Sequence, residues 1–283
     1  MLYREFGKSG FKTSVIGMGT YYDALWIATA MIFKLQRSAA KKLDALNTGL
    51  DNGINFIDTA ELYQSETIVA KAIKGRKRDE LFIATKVWSN HLSADKIEKS
   101  CMKSLSRLDT SYIDLYQIHF PSTRTPLRET IGAMEKLVSE GKIRNIGISN
   151  FSYNQMIEAE SALKSQELCS TQMNYNMLRR DVEREILPHC EKEKIAMIPY
   201  YPLAHGKLGK ENGLGKGEAI DKILKNHKGL SYSQLALSWL VTRSDVNFPI
   251  PRASRSSHVK DNALAGDVLL TPEEMKTLEE HMT

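Results

Sequence analysis

Apolar residues recur along this chain in short, dense runs separated by longer stretches with helical spacing. The strand-like runs are VIGMGT (15–20), INFIDT (54–59), LFIATK (81–86), YIDLYQIH (112–119), IRNIGISN (143–150), STQMNY (170–175), IAMIPYY (195–201) and VNFPIP (246–251), eight in all. Most are apolar nearly throughout, the pattern of parallel strands buried on both faces. Between them, residues 37–52 set Ala39, Leu43, Leu46 and Leu50 on one stripe and stop at Gly53. Residues 94–108 follow Ser93 as a cap and set Ile97, Cys101, Leu105 and Leu108 on one face. Residues 126–140 open with Thr125 as a cap and Pro126 at the first helical position, and stop at Gly141. Residues 152–164, 181–193 and 231–243 read similarly, and TPEE (271–274) is a capping box before a last helix.

Eight strand–helix alternations are the count of a (β/α)8 barrel, here a single domain over residues 1–283. A doubly wound open sheet is the competing architecture. It wants G-x-G-x-x-G after the first strand, and GMGTYY (17–22) lacks the third glycine. LYREF and KTSVI flank GKSG and read as a β-hairpin placed to plug the barrel's amino end. Two segments do not fit a bare barrel. One is the first loop, 21–36, with the apolar run ALWIATAMIF; the other is 202–229, with six glycines.

In a (β/α)8 barrel the active site lies at the carboxyl ends of the strands. Those ends carry Asp58, Lys86, His119, Ser149 with Asn150, Gln172 with Asn174, and Tyr200, with Tyr63 just past Asp58. Each has a bland reading. Asp58 suits a turn or a helix cap, Lys86 the point where a strand meets water, His119 a satisfied core position, and Ser149–Asn150 a helix cap. Taken together they place an acid, a cation, an imidazole and a phenol at one mouth. That set supports proton donation by a phenol. A free tyrosine titrates near pH 10, and a neighbouring ammonium lowers that value. Asp58 is therefore expected to anchor Lys86, Lys86 to tune Tyr63, and Tyr63 to protonate an oxyanion that a neutral His119 positions. Ser149, Asn150 and Gln172 suit a carboxamide, and Tyr200 a flat ring, the needs of a nicotinamide. Arg252, Ser254 and Arg255 stand near a helix start after the last strand, the usual phosphate position in this fold. A basic helix entrance with no ligand is the alternative there.

Composition narrows the classes. Among 283 residues 42% are hydrophobic and 26% charged, which is ordinary for a globular protein with a large core. The net charge of +5 comes without a block of like charge, so a small anion suits it better than nucleic acid. Cys101, Cys169 and Cys190 are scattered, giving neither a disulfide framework nor metal-ligand spacing. A reducing cytoplasm is the expected setting. MLYREFGKSG lacks a signal peptide's apolar region, and the longest apolar stretch is half a membrane span. The seven histidines show no ligand spacing, so no metal is expected. GLGKGEA (213–219) lacks the lysine–hydroxyl pair of a phosphate loop.

With these residues in place, the chain resembles the aldo-keto reductases from residue 1 to about residue 280. The motifs are NFIDTAELY, IATKVW, LYQIH, GKIRNIGISNF, TQMNYN, IPYYPLAHGKL and IPRASRSSHVKDN, in the family's order and close to its spacings. The resemblance implies a (β/α)8 barrel that binds NADPH without a Rossmann domain and reduces aldehydes or ketones to alcohols. It implies a tetrad at Asp58, Tyr63, Lys86 and His119. It sets Ser149, Asn150 and Gln172 on carboxamide-binding positions, Tyr200 on the nicotinamide-stacking position, and Leu203 where the pyrophosphate is clasped. Arg252, Ser254, Arg255 and Asn262 fall in the adenosine-phosphate segment. Two positions depart from the family pattern. Gln64 stands where many members have glycine, and Tyr201 where serine is usual. Some barrels of this family are cofactor-binding subunits of other proteins, and ALWIATAMIF would serve that role as a docking surface. For an enzyme, Tyr21, Tyr22, Trp88 and Phe120 are expected to wall the pocket. They favour aldehydes or activated ketones with an apolar or aromatic body over free sugars. The stretch from Leu25 to Phe33 is expected to fold over the mouth and exclude water.

Overall fold

The structure is a computed structural model and describes residues 1–210, 218–227 and 229–281. Seven parallel strands lie side by side in sequence order: β3 (Met18–Gly19), β4 (Phe56–Asp58), β5 (Phe82–Val87), β6 (Ile113–Ile118), β7 (Ile143–Ser149), β8 (Leu168–Asn174) and β9 (Ala196–Tyr200). Helices separate them: α2 (Ala39–Asp51), α3 (Glu66–Ile73), α4 (Ala94–Leu108), α5 (Leu127–Ser139), α6 (Tyr153–Ala162) and α7 (Ile186–Glu193).

The eighth predicted strand, 246–251, occupies its slot without becoming a regular strand. The amides of Phe248 and Ile250 donate to Met197 O and Pro199 O on β9, at 2.8 and 3.1 Å. On the other side, Gly17 N and Gly19 N donate to Pro249 O and Pro251 O, at 2.9 and 3.0 Å. Both residues that face β3 are prolines. They accept but have no N–H to give, so half of that ladder is missing. Just past the prolines an amide is available again, and Ala253 N donates to Gly19 O at 2.9 Å to close the barrel.

Strand periodicity divides the barrel interior by height, because alternate residues face inward. Low in the barrel these are Phe56, Phe82, Leu115, Ala196, Ile198 and Phe248, which form one buried cluster. Two or four residues further on, the same strand faces carry Asp58, Lys86, Gln117 and His119. The floor is closed by Phe6, which follows the hairpin strand β1 (Tyr3–Glu5) paired antiparallel to β2 (Lys12–Ser14). Its ring centroid lies 4.6–5.2 Å from those of Phe56, Phe82 and Phe248. The hairpin does plug the amino end, and truncating Phe6 to alanine would cost about 3–5 kcal/mol. Gly147 is needed for this packing: a Cβ there would meet Ser170 Oγ at 2.4 Å and Gln117 Cγ at 3.0 Å.

Two sequence expectations are corrected. The first loop contains a helix, α1 (Ala24–Phe33). Asp23 caps it by accepting from Trp26 N at 2.6 Å, and Lys34 ends it in the left-handed region, at φ 55°. Its sequence is apolar all round, so no 3.6-residue stripe announced it. On it Trp26 and Ala30 are buried, while Leu25, Met31, Ile32 and Phe33 are exposed. Finally, residues 181–193 divide into a 3-10 turn at Asp181–Glu183 and helix α7. In segment 202–229, a 3-10 turn spans Ala204–Gly209 and a helix spans Glu218–Asn226. The glycine-rich run at 213–217 lies outside the described residues. The TPEE capping box is present: Thr271 N donates to Glu274 Oε2 and Glu274 N to Thr271 Oγ1.

Candidate active site

Asp58 ends β4 and is 1% exposed. Lys86, on the neighbouring strand β5, is fully buried. Its ammonium donates to Asp58 Oδ1 at 2.6 Å and to Thr59 O at 2.8 Å. The other carboxylate oxygen accepts from Gln172 Nε2 at 2.9 Å and Gln117 Nε2 at 3.3 Å. Neither bland reading survives: Asp58 caps no helix, and Lys86 does not meet water. The sequence reading missed Gln117, although it lies two residues before His119 and therefore faces the same interior.

Tyr63 sits in a 3-10 turn, Glu61–Tyr63, just past β4. Its hydroxyl is 3.2 Å from His119 Nε2, and Lys86 Nζ stands 4.9 Å from the centre of its ring. Burial, then the Asp58 charge, hold the Tyr63 phenol well above the ordinary tyrosine value. This corrects the expectation that Lys86 lowers it. The ammonium lies over the ring face, not at the hydroxyl, and its charge is taken up by Asp58. Burial also lowers Lys86 against the opposing pull of Asp58. His119 is pushed down to about 2, first by burial and then by Lys86, so its imidazole is neutral as expected. Its Nδ1 is buried with no partner.

The residue after Tyr63 explains the departure at position 64. Gln64 is left-handed, at φ 56°, where glycine is most at ease and another residue costs about 1–2 kcal/mol. Its side chain offsets part of that cost by donating to Glu61 O at 2.9 Å.

Beside the tetrad the polar strand ends bond to one another. Ser149 Oγ donates to Gln172 O at 3.1 Å and accepts from Asn150 Nδ2 at 3.0 Å. Asn150 Nδ2 also donates to His119 O, and Tyr200 Oη donates to Asn150 Oδ1 at 2.7 Å. The helix-cap reading of Ser149–Asn150 fails, because Ser152 caps α6 with a full capping box to Gln155. Gln172 donates from Nε2 to Asp58 Oδ2 at 2.9 Å, which uses one of its two N–H groups.

The aromatic wall is three residues, not four. Tyr21 stands edge-on to Tyr63, with centroids 5.3 Å apart. Trp88 is 5.3 Å from His119, and Phe120 stacks on His119 at 5.1 Å and 19°. Tyr22 is 1% exposed, packs against Trp26 and has a hydroxyl without a partner, so it belongs to the core. A further residue missed from sequence is Glu61, which accepts from Trp88 N and from His91 Nδ1 and so ties the Tyr63 turn to the Trp88 wall.

Further round the mouth, Leu203 is half-buried against the core at the start of the 3-10 turn, and Asn262 is buried in the helix Ser256–Leu264. Ser254 is half-buried just before that helix, and Arg255 takes its N-cap position. Arg252 and Arg255 are exposed, and neither is in a salt bridge among the described residues; Arg252 Nη1 donates to Tyr22 O at 2.6 Å. Tyr201 takes a left-handed backbone at φ 50° and sets its ring 3.9 Å from that of His205. Among the described residues no group of His, Cys, Asp and Glu could hold a metal.

Comparison with known proteins fits this geometry. The family model described as "Aldo/keto reductase family" matches residues 16–283. The methylglyoxal reductase YeaE of Escherichia coli (strain K12) is 35% identical over 93% of this chain and 89% of its own length. A probable voltage-gated potassium channel subunit beta of Arabidopsis thaliana is 31% identical over 96% of this chain and 94% of its own. Among solved structures, an aldo/keto reductase of Klebsiella pneumoniae in complex with NADP and acetate superimposes with a TM-score of 0.81. It has 32% identity, and the match covers 97% of this chain and 93% of that one. The chain belongs to the aldo/keto reductase family.

Proposed function

We propose that the protein is an NADPH-dependent oxidoreductase that reduces aldehydes or ketones to alcohols, with Tyr63 as the proton donor. The observation that carries this reading is a buried phenol within hydrogen-bond range of an imidazole, with its ring beside an ammonium held by a carboxylate. The other residues suit the cofactor. Tyr200, Ser149 and Asn150 present a ring and fixed amide and hydroxyl groups beside the tetrad, and Arg252 and Arg255 offer exposed cations to a phosphate. NADPH, when bound, supplies the hydride that adds to the carbonyl carbon. Tyr63 gives its hydroxyl proton to the carbonyl oxygen, and the product is the alcohol. Neutral His119 shares the oxygen with Tyr63 and orients it. Lys86 brings positive charge to the Tyr63 ring as the phenolate forms, and Asp58 keeps that ammonium charged and in place. Solvent then returns a proton to Tyr63.

Substrates with an apolar or aromatic body are favoured by the wall of Tyr21, Trp88 and Phe120, and small 2-oxoaldehydes form the second class to assay. All three free cysteines are buried, which fits a reducing cytoplasm. Among the described residues no helix is long and apolar enough to cross a membrane. The test is NADPH oxidation with a panel of aldehydes and ketones. Tyr63→Phe should lower kcat by about 10²–10⁴-fold while NADPH affinity stays within about twofold. Wild-type turnover in Tyr63→Phe overturns the assignment. A second reading, a cofactor-binding subunit of another protein, draws on the exposed outer face of α1. NADPH binding with no turnover across the panel would favour it.

A further inference from the structure

Two carbonyls in the turn that carries the proton donor are held from outside the barrel. Trp26, 2% exposed on α1, donates from Nε1 to Tyr63 O at 2.9 Å. Gln36, just beyond α1, donates from Nε2 to Gln64 O and to Thr67 Oγ1, both at 2.9 Å. Trp26 is itself fixed on three sides. Asp23 accepts from its backbone amide, Tyr22 packs edge-on at 5.1 Å, and the Lys42 ammonium lies 4.5 Å from its ring centre. Gln64, left-handed and without glycine's freedom, is where such support has most effect, because its φ sets the direction in which the chain leaves Tyr63. The Tyr63 hydroxyl meets His119 at 3.2 Å, a long contact sensitive to any drift of the turn.

We propose that segment 23–36 is a strut for the proton donor, with Trp26 and Gln36 as positioning residues that hold the Tyr63–Gln64 peptide units in register with His119 and the substrate oxygen. The proposal rests on the reading of Tyr63 as proton donor. Neither residue touches the reacting atoms; each acts through a backbone carbonyl. A helix that merely packed on the barrel would need only bulk at position 26, and would leave the chemistry unaffected by losing a donor at position 36.

Trp26→Phe keeps an aromatic ring, smaller than the indole, and removes the donor. Gln36→Met keeps length and removes the donor at a half-exposed site, so it remains informative if Trp26→Phe fails to fold. The expected result in each is a fall in kcat of about tenfold, with NADPH affinity unchanged and a larger solvent deuterium isotope effect on kcat. The isotope effect rises because misplacing the phenol slows proton transfer specifically. Unchanged kcat and isotope effect in folded variants, or a parallel loss of NADPH affinity, overturns the strut. A second readout separates this from failure of the activity reading. The 13Cζ resonance of Tyr63, identified by its absence in Tyr63→Phe, should shift or broaden in both variants even if no carbonyl is reduced. A wild type without turnover overturns the donor role, whereas an unmoved resonance overturns the strut.

Discussion

Replacing Lys86 by methionine should damage stability and catalysis together, and a second substitution should separate the two. The Lys86 and Asp58 side chains are 0% and 2% exposed, and they meet at 2.6 Å. At an effective dielectric constant of about 20, unit charges about 3 Å apart attract by roughly 5–6 kcal/mol. Desolvation opposes this attraction, and at Lys86 burial outweighs the pull of Asp58. Lys86→Met leaves the carboxylate buried with only the two amide donors of Gln117 and Gln172. Stranding one member of a buried pair costs about 3–5 kcal/mol. For a chain of this size that is about 2 °C per kcal/mol, or roughly 6–10 °C in Tm. Asp58→Asn strands the ammonium instead and should cost a similar amount. The double variant Asp58→Asn/Lys86→Met removes both charges and keeps the volume. It should recover at least half of the lost stability while turnover stays down by about 10²-fold or more. Thermal unfolding followed by circular dichroism, with NADPH oxidation measured on the same samples, reads both quantities. A double variant whose loss equals the sum of the single losses would refute the charge argument, since the two residues would then be acting independently.

The pH dependence should be flat across neutrality in the reductive direction. His119, pushed down to about 2, contributes no step near pH 6.5, and Tyr63, held above the ordinary phenol value of about 10, stays protonated and able to donate. The rate should fall only as pH rises through the tyrosine range, while alcohol oxidation, which needs the phenolate, should rise with pH. A step near neutrality that disappears in His119→Gln would contradict this. Arg252→Ala/Arg255→Ala should weaken NADPH binding by about tenfold or more per lost phosphate contact and NADH binding little; a fluorescence titration showing equal losses would reassign the arginines. Trp88→Ala should raise KM for an aromatic aldehyde far more than for methylglyoxal, with Tm little changed. A large fall in Tm with an unchanged kcat/KM ratio would place Trp88 in the core.

Sequence by itself located the apolar runs that line the barrel, the hairpin plug, and Asp58, Tyr63, Lys86 and His119 as residues gathered at one mouth. It could do so because buried parallel strands impose dense apolar runs, and because their carboxyl ends gather at one mouth in this fold. Period-2 alternation carried more than was read from it. Gln117 two residues before His119, and Leu115 two before that, already placed an amide next to the site on a strand face that is apolar below. What only the tertiary structure decided depended on partners remote in sequence. Gln172 donates to Asp58, 114 residues away, and so supports the carboxylate. Tyr22 enters the core because Trp26 folds back on it. The phenol of Tyr63 rises instead of falling, because burial and a carboxylate outweigh an ammonium that faces its ring. Helix α1 left no signal, since an apolar run of ten residues suits a helix and a buried strand equally. Its hydrogen bond to the carbonyl of Tyr63 exists only once the barrel has brought the two segments together.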